Sequence, residues 1–462
     1  MKEEEIASEH TGFRLWRELG RPKMIVAPMV DQSELAWRML SRKYGAQLCY
    51  TPMLHASVFI RNEQYRKDAL TSCNEDRPLI VQFCANDPEI LLKASVLAQD
   101  HCDAVDLNLG CPQAIARRGH YGAFLQDDWD LISKMVSLCH KNLSIPITCK
   151  IRIFPTVEKT VRYAKMLENA GCQILTVHGR AREQKGPRTG LADWKYVKAI
   201  KNAIKIPVFS NGNIQYFDDV ERCIKETGVE GVMVAEGNLH NPALFDNKIP
   251  NVCDISLEYL DFVDKYPPCP LSYARGHIFK ICVHSLQKHT EIRDKLGNSK
   301  SIYDIRTAIL ELQDICKEKC QKGDSSNDML PLPHWVCQPY VRPAIRHETE
   351  KAQKRSFESS DALKNVTEIS KKKLKKLFKK HGQLVNGMTP TQEQIESVLK
   401  MEKARTKLVY EKCSKCGNPR GERCVFLYCK SCCKKRTKEI SLSCPRHQNN
   451  KTTATEFILQ KE

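Results

Sequence analysis

Several residue groups along the chain have the types and spacing to do chemistry together. Cys111 sits in a Gly110-Cys111-Pro112 turn that directly ends the run Asp106-Leu107-Asn108-Leu109. A thiol at the carboxyl end of a buried parallel strand opens into whatever pocket that edge of the sheet forms. Lys150 and Arg152 interrupt the apolar run 147–153, His178 and Arg180 stand at the end of the run 174–179, and Gln82 interrupts the run 79–85. Pro28 and Met29 end the run 24–29, Asn211-Gly212-Asn213 ends 206–212, and Ala235-Glu236-Gly237 ends 231–237. A lysine inside an apolar strand is costly to bury without a partner, so Lys150 is expected to face an anionic or electron-accepting group. Glycine-bearing turns can bind phosphate through backbone N–H groups. The combination points to a phosphorylated cofactor with a thiol beside it. Cys49, Cys84, Cys149 and Cys172 lie inside apolar runs and read as small core residues, and His178 alone reads as a hydrogen-bonded supporting group.

Something must bring these groups to one place. With 47–53 and 104–110, the runs above make eight buried-type strands. They alternate with helix-period segments at 88–99, 128–141, 157–171, 194–205 and 217–227, which is the pattern of a (β/α)8 TIM barrel. In that architecture the residues at the carboxyl ends of all eight strands share one mouth. A doubly wound open sheet would need a glycine fingerprint after its first strand, and Ala27-Pro28-Met29-Val30-Asp31 has none. The expected organisation is an N-terminal segment 1–20, the barrel 21–254, a helical domain 255–345 with helices over 273–288 and 296–315, a basic linker 346–405, a cysteine-rich module 406–450 and a tail 451–462.

Charge is segregated. Of 73 Lys+Arg and 55 Asp+Glu, 27 and 11 fall beyond residue 350, so the first 350 residues are nearly neutral while the end is strongly basic. Such an end fits a polyanion, with nucleic acid the leading candidate. Its run Lys371-Lys372-Lys373-Leu374-Lys375-Lys376-Leu377-Phe378-Lys379-Lys380 reads as a solvated helix or tether that also suits phosphate binding or nuclear import. The cysteines are too many for a simple core, yet the chain is too long for a small disulfide scaffold. Cys413, Cys416, Cys424, Cys429, Cys432, Cys433, Cys444 and His447 supply donors for one or two structural zinc ions. Which of them share a metal is open, because Cys432 and Cys433 compete. The charged start lacks an apolar leader and no run is long enough to cross a membrane, so a cytoplasmic monomer with access to the nucleus is expected.

Pro28-Met29-Val30, Leu107-Asn108-Leu109-Gly110-Cys111-Pro112, Lys150-Ile151-Arg152, His178-Gly179-Arg180 and Asn211-Gly212-Asn213-Ile214, in this order over residues 20 to 345, resemble the successive motifs of the tRNA-dihydrouridine synthases. Ala235-Glu236-Gly237-Asn238-Leu239 and the cysteine-rich end look most like the eukaryotic branch acting at tRNA positions 16 and 17. The resemblance implies an FMN enzyme, re-reduced by NADPH or NADH, that passes hydride to C6 of a uracil in tRNA while Cys111 protonates C5. It places Pro28, Met29, Gln82, Lys150, His178, Asn211, Gly212, Asn213, Ala235, Glu236 and Gly237 around FMN. Asn108 and Arg180 fall on the substrate side, and the helical domain would grip tRNA. A thiol with an ordinary pKa near about 8.5 is mostly protonated at neutral pH and suits the acid role. Relatives commonly carry Arg where this chain has Glu236. The expected resolution is that backbone groups hold the phosphate while the carboxylate turns outward.

Two other functions fit parts of the sequence. An RNA-binding adaptor that kept the barrel and lost catalysis would bind RNA without flavin, and Glu236 would be its symptom. A small-molecule flavin reductase would have no use for the basic end.

Overall fold

The computed structural model describes residues 11–321, 330–341, 411–416, 420–421, 424–440 and 444. Among the described residues nine strands form: β1 (Met24–Val26), β2 (Leu48–Tyr50), β3 (Leu54–His55), β4 (Leu79–Cys84), β5 (Ala104–Leu109), β6 (Ile147–Ile153), β7 (Leu175–Ala181), β8 (Val208–Asn211) and β9 (Gly231–Val234). All pair in parallel, with β1 between β9 and β2, and β2 beside β4. Eight strands therefore close into a TIM barrel in chain order, and the short β3 hangs on β4. The run 47–53 breaks because Pro52 has no N–H to continue a ladder.

Register then decides which side chains meet. Gln82 stands opposite Asp106, Asn108 opposite Lys150, and His178 opposite both Arg152 and Asn211. Strand side chains alternate with period two, so Asp106 shares a face with Asn108, and Thr148 shares one with Lys150 and Arg152. The pairing of β6 with β7 shifts after Arg152, a bulge that re-aims the end of β7 beside the mouth. Strand β7 thus runs on to Ala181, carrying Arg180 with it, whereas β9 stops at Val234. Ala235 leaves strand geometry at φ −112° and ψ −86°, and Glu236–His240 turns helical.

Below this polar layer the barrel is filled by Ile25, Leu48, Tyr50, Ile80, Ala104, Ile174, Phe209 and Met233. Leu15 and Leu19 join that cluster from the helix Thr11–Glu18 and its end, so this helix plugs the amino-terminal end of the barrel. This burial of apolar area stabilises the closed barrel and leaves the opposite end open for chemistry. Cys49, Cys84, Cys149 and Cys172 are buried.

After the barrel come helices Val252–Lys265, Leu271–Ile281, Val283–Lys288, Thr290–Asn298 and Ile302–Gln321. The helix expected over 273–288 is thus two, separated at Cys282, and that over 296–315 is also two, with Asp304 accepting from the Lys300 and Ser301 N–H groups at the break. The layer shares one apolar core with Ala36, Trp37 and Leu40 of the barrel helix Leu35–Lys43. His277 stacks on Trp37 at 3.9 Å between ring centroids and reaches Glu34 at 3.0 Å, while Tyr259 donates to the same carboxylate at 2.7 Å. That junction fixes the chain just past Pro28 and Met29. No helix among the described residues is long and apolar enough to cross a membrane.

Candidate active site

Cys111 is half-buried just past β5, and its main chain is gripped on every side. Its N–H donates to Asn108 Oδ1 at 2.9 Å, and Gly110 N–H donates to the same oxygen at 3.2 Å. The Gly110 carbonyl accepts from Arg152 Nε at 2.8 Å, the Cys111 carbonyl from the Ala123 N–H at 3.0 Å, and the Pro112 carbonyl from Lys185 Nζ at 2.6 Å. Gly122 allows the close approach: its φ is +62°, and a Cβ there would stand 2.8 Å from the Cys111 carbonyl oxygen. A thiol held this way is preorganised, since few of its positions remain to be frozen out. Arg182 completes the clasp, donating to the Ala123 carbonyl at 3.2 Å and pairing with Asp127 at 2.7 Å.

Beneath the thiol runs a polar chain. Asn108 Nδ2 donates to Gln82 Oε1 at 2.8 Å, Gln82 Nε2 donates to Asp106 Oδ2 at 2.8 Å, and Thr148 donates to Asp106 Oδ1 at 2.7 Å. Burial pushes Asp106 up to about 6 against the hydrogen bonds of Thr148 and Gln82. Lys150 donates to Asn211 Oδ1 at 2.8 Å, and Asn211 Nδ2 in turn donates to the Met233 carbonyl at 2.8 Å. Burial first, and then the neighbouring Arg152, lower Lys150 to about 8, with Asp106 and Cys111 opposing. Arg152 is held down to about 10 by burial and by Arg180. These cations crowd one mouth, so His178 is pushed well below its ordinary value by burial, then by Lys150, Arg152 and Arg180. Arg180 lies 3.1 Å from His178 Nε2, and guanidinium can only donate, so the neutral imidazole carries its proton on Nδ1.

On the far side, Asn211, Gly212 and Asn213 form the turn after β8, and Asn213 Oδ1 accepts from Arg180 at 3.1 Å and from Ala192 N–H at 2.9 Å. Gly237 is buried where a Cβ would come within 2.3 Å of the Ile214 carbonyl oxygen, so a glycine lets the turns after β8 and β9 close on each other. Glu236 is exposed beside it, and Pro28, Met29 and Ala235 are half-buried around the same opening.

Asp106, Thr148, Arg182, Lys185 and Gly122 were not singled out from the sequence. Asp106 carried a usable signal, because it lies two residues before Asn108 and must share its face. Arg182 and Lys185 lie in a polar loop and offered none.

The cysteine-rich segment belongs to a unit separate from the barrel's. Cys413, Cys416, Cys429 and Cys432 gather their sulfurs into one group, and Cys424, Cys433 and Cys444 into another. Cys416 and Cys429 are 3.6 Å apart and Cys424 and Cys444 3.9 Å, close to the ~3.8 Å edge of a tetrahedron with metal–sulfur bonds of about 2.3 Å. The adjacent Cys432 and Cys433 serve different groups at the start of the helix Lys430–Ile440. Against an opposing desolvation, backbone hydrogen bonds at Cys429, Lys415 and Cys416 lower the Cys413 thiol to about 6. His447 and the basic run 371–380 lie outside the described residues.

The family model described as dihydrouridine synthase (Dus) matches residues 25–325, which contain Pro28, Cys111, Lys150 and the other residues at the barrel mouth. The chain belongs to the dihydrouridine synthase family. A Mus musculus protein named tRNA-dihydrouridine(16/17) synthase [NAD(P)(+)]-like is 53% identical over 94% of this chain and 90% of its own length. A Saccharomyces cerevisiae tRNA-dihydrouridine(16/17) synthase [NAD(P)(+)] is 47% identical over 72% of this chain and 86% of its own. The mouse match spans nearly the whole chain, while the yeast match covers less of it.

Proposed function

We propose that this chain reduces the C5=C6 bond of uridine in tRNA, at the D-loop positions 16 and 17 that its relatives' names carry, with Cys111 as the proton donor. The observation that carries the reading is the four-way grip on the Cys111 turn beside a buried lysine.

The residues fit FMN as the bound group. Lys150 brings a positive charge to a buried polar layer, Gln82 and Asn211 stand beside it, and Pro28, Met29 and Ala235 offer half-buried apolar surface. A fixed cation there stabilises negative charge on the flavin's polar edge. Bound FMN, re-reduced by NADPH or NADH, would supply the hydride that reaches C6. His178, neutral with its proton on Nδ1, would add a donor without adding charge. The turns carrying Asn211, Gly212 and Asn213, and Ala235, Glu236 and Gly237, would hold the phosphate through backbone N–H groups. The exposed Glu236 is then not needed for the phosphate.

Cys111 Sγ would give its proton to C5, and the resulting thiolate would regain a proton from water. The rising negative charge on sulfur is favoured by Lys150 and Arg152 nearby. Asn108 and Arg180 line the uracil side. Because the target base must leave its stack, tRNA has to be gripped at a distance, which the helical layer and the basic end would do. The two sulfur groups would hold zinc as a brace for that end. The protein would act as a monomer in the cytoplasm, with access to the nucleus.

The purified chain is expected to carry FMN and to oxidise NADPH only when unmodified tRNA is added. Binding of tRNA with neither flavin nor oxidation would establish the adaptor instead. Turnover on a small substrate that survives removal of the basic end would establish a general flavin reductase.

A further inference from the structure

The helical layer holds a cluster that the proposed reaction does not use. His289 precedes the helix Thr290–Asn298, Cys316 lies in the helix Ile302–Gln321, and His334 lies in the segment 330–341. One donor atom from each falls within 4.8 Å of the other two, and all three residues are buried, at 6%, 3% and 1% exposed. Two imidazoles and a thiol make a donor set for a borderline-soft divalent ion. Three elements remote in sequence bring them together.

The surroundings orient the rings. Ser285 Oγ donates its single proton to the His334 carbonyl at 2.7 Å, so at its 3.2 Å contact with His334 Nδ1 the same oxygen must accept. Neutral His334 therefore keeps its proton on Nδ1 and turns a lone pair on Nε2 to ligation. The Glu291 carboxylate, 3.6 Å from His289 Nδ1, favours the same tautomer at the second ring. A hydroxyl or carboxylate behind the remote ring nitrogen is how metal-ligating histidines are commonly held. The buried Cys253 thiol also neighbours Cys316.

We propose that His289, Cys316 and His334 bind one zinc ion that pins the segment 330–341 to the helical layer. On binding, the Cys316 proton leaves to solvent and the sulfur ligates as thiolate. The pinned segment runs antiparallel past the start of the helix Val252–Lys265, where Val252 N–H donates to the Trp335 carbonyl and Cys337 N–H to the Pro250 carbonyl, both at 2.9 Å. Its Tyr340 ring then stacks on His240, 6.0 Å between centroids, at the end of the short helix that opens with Glu236. The ion thereby braces a strap that reaches from the helical layer to the loops beside the mouth.

The test is zinc content of the full-length chain by elemental analysis. The cysteine-rich end has donors for two ions, so the wild-type protein should carry a third equivalent. Cys316→Ser and His334→Gln should each lose one equivalent while the circular dichroism spectrum is kept. Cobalt substitution of the wild type should give a thiolate charge-transfer band that weakens in Cys316→Ser. Folded variants with wild-type zinc content would overturn the site. Should a variant fail to fold, a folded His289→Gln chain with wild-type zinc content would overturn it equally. Neither outcome depends on the activity of the barrel.

Discussion

Replacing Lys150 by methionine should separate what this residue costs the fold from what it does for the cofactor. The residue is 9% exposed and its pKa falls from 10.5 to about 8, chiefly through burial and then through Arg152. At roughly 1.4 kcal/mol per pH unit, holding this charge inside costs the folded protein about 3 kcal/mol. Methionine fills a similar volume without the charge, but leaves Asn211 Oδ1 without its 2.8 Å donor, a loss of about 1–3 kcal/mol. At pH 7 the flavin-free variant should therefore be as stable as the wild type or up to about 2 kcal/mol more so, the difference of those two terms. The pH dependence carries the sign. Below pH 8 both folded and unfolded chains hold the proton and the full cost is present. Between about 8 and 10.5 only the unfolded chain holds it, so wild-type stability gains on the variant by about 3 kcal/mol as pH rises. Urea unfolding of both flavin-free proteins at pH 7 and pH 10 measures this. FMN binding should move the opposite way, weakening about 10- to 100-fold for loss of one charge-assisted hydrogen bond. A variant that is clearly less stable at pH 7, or a difference that stays flat with pH, would refute the reasoning.

Two further substitutions probe the grip on Cys111. Asn108→Ala removes the acceptor for both the Gly110 and Cys111 N–H groups. Its turnover should fall about 100-fold with FMN content unchanged, as a small misplacement of a reacting group would do, and a loss of flavin in equal measure would count against that role. Gly122→Ala places a Cβ against the Cys111 carbonyl at a φ of +62°, so stability to urea should drop by about 1–2 kcal/mol or more and turnover should fall with it.

Much of the barrel was legible because its strands are short, apolar and regularly spaced, and because polar residues such as Lys150 are conspicuous inside them. The helix Phe217–Thr227 has the bounds its periodicity predicts. Other features depended on long-range packing that periodicity does not encode. The plug formed by Leu15 and Leu19 belongs to a short amphipathic piece whose purpose appears only once the barrel closes. Strand β9 ends early because the chain must turn at Ala235, and Gly237 then packs on Ile214. Asp106 passed for an ordinary polar residue in an apolar run, although its spacing from Asn108 placed it in the site. In the cysteine-rich end the donors were plain but their grouping was not, since Cys432 and Cys433 part ways only in three dimensions. His289, Cys316 and His334 had no signal at all, being far apart in the chain and joined only by helix packing.

The central claim is that the half-buried thiol of Cys111 protonates C5 of a uridine beside a bound flavin. The measurement is dihydrouridine content of unmodified tRNA after incubation with wild type or Cys111→Ala in the presence of NADPH, read by mass spectrometry of the digested nucleosides. The variant is expected to keep its FMN, yet to lose most of the product and with it the tRNA-dependent oxidation of NADPH. Dihydrouridine formed by Cys111→Ala at the wild-type rate would contradict the account.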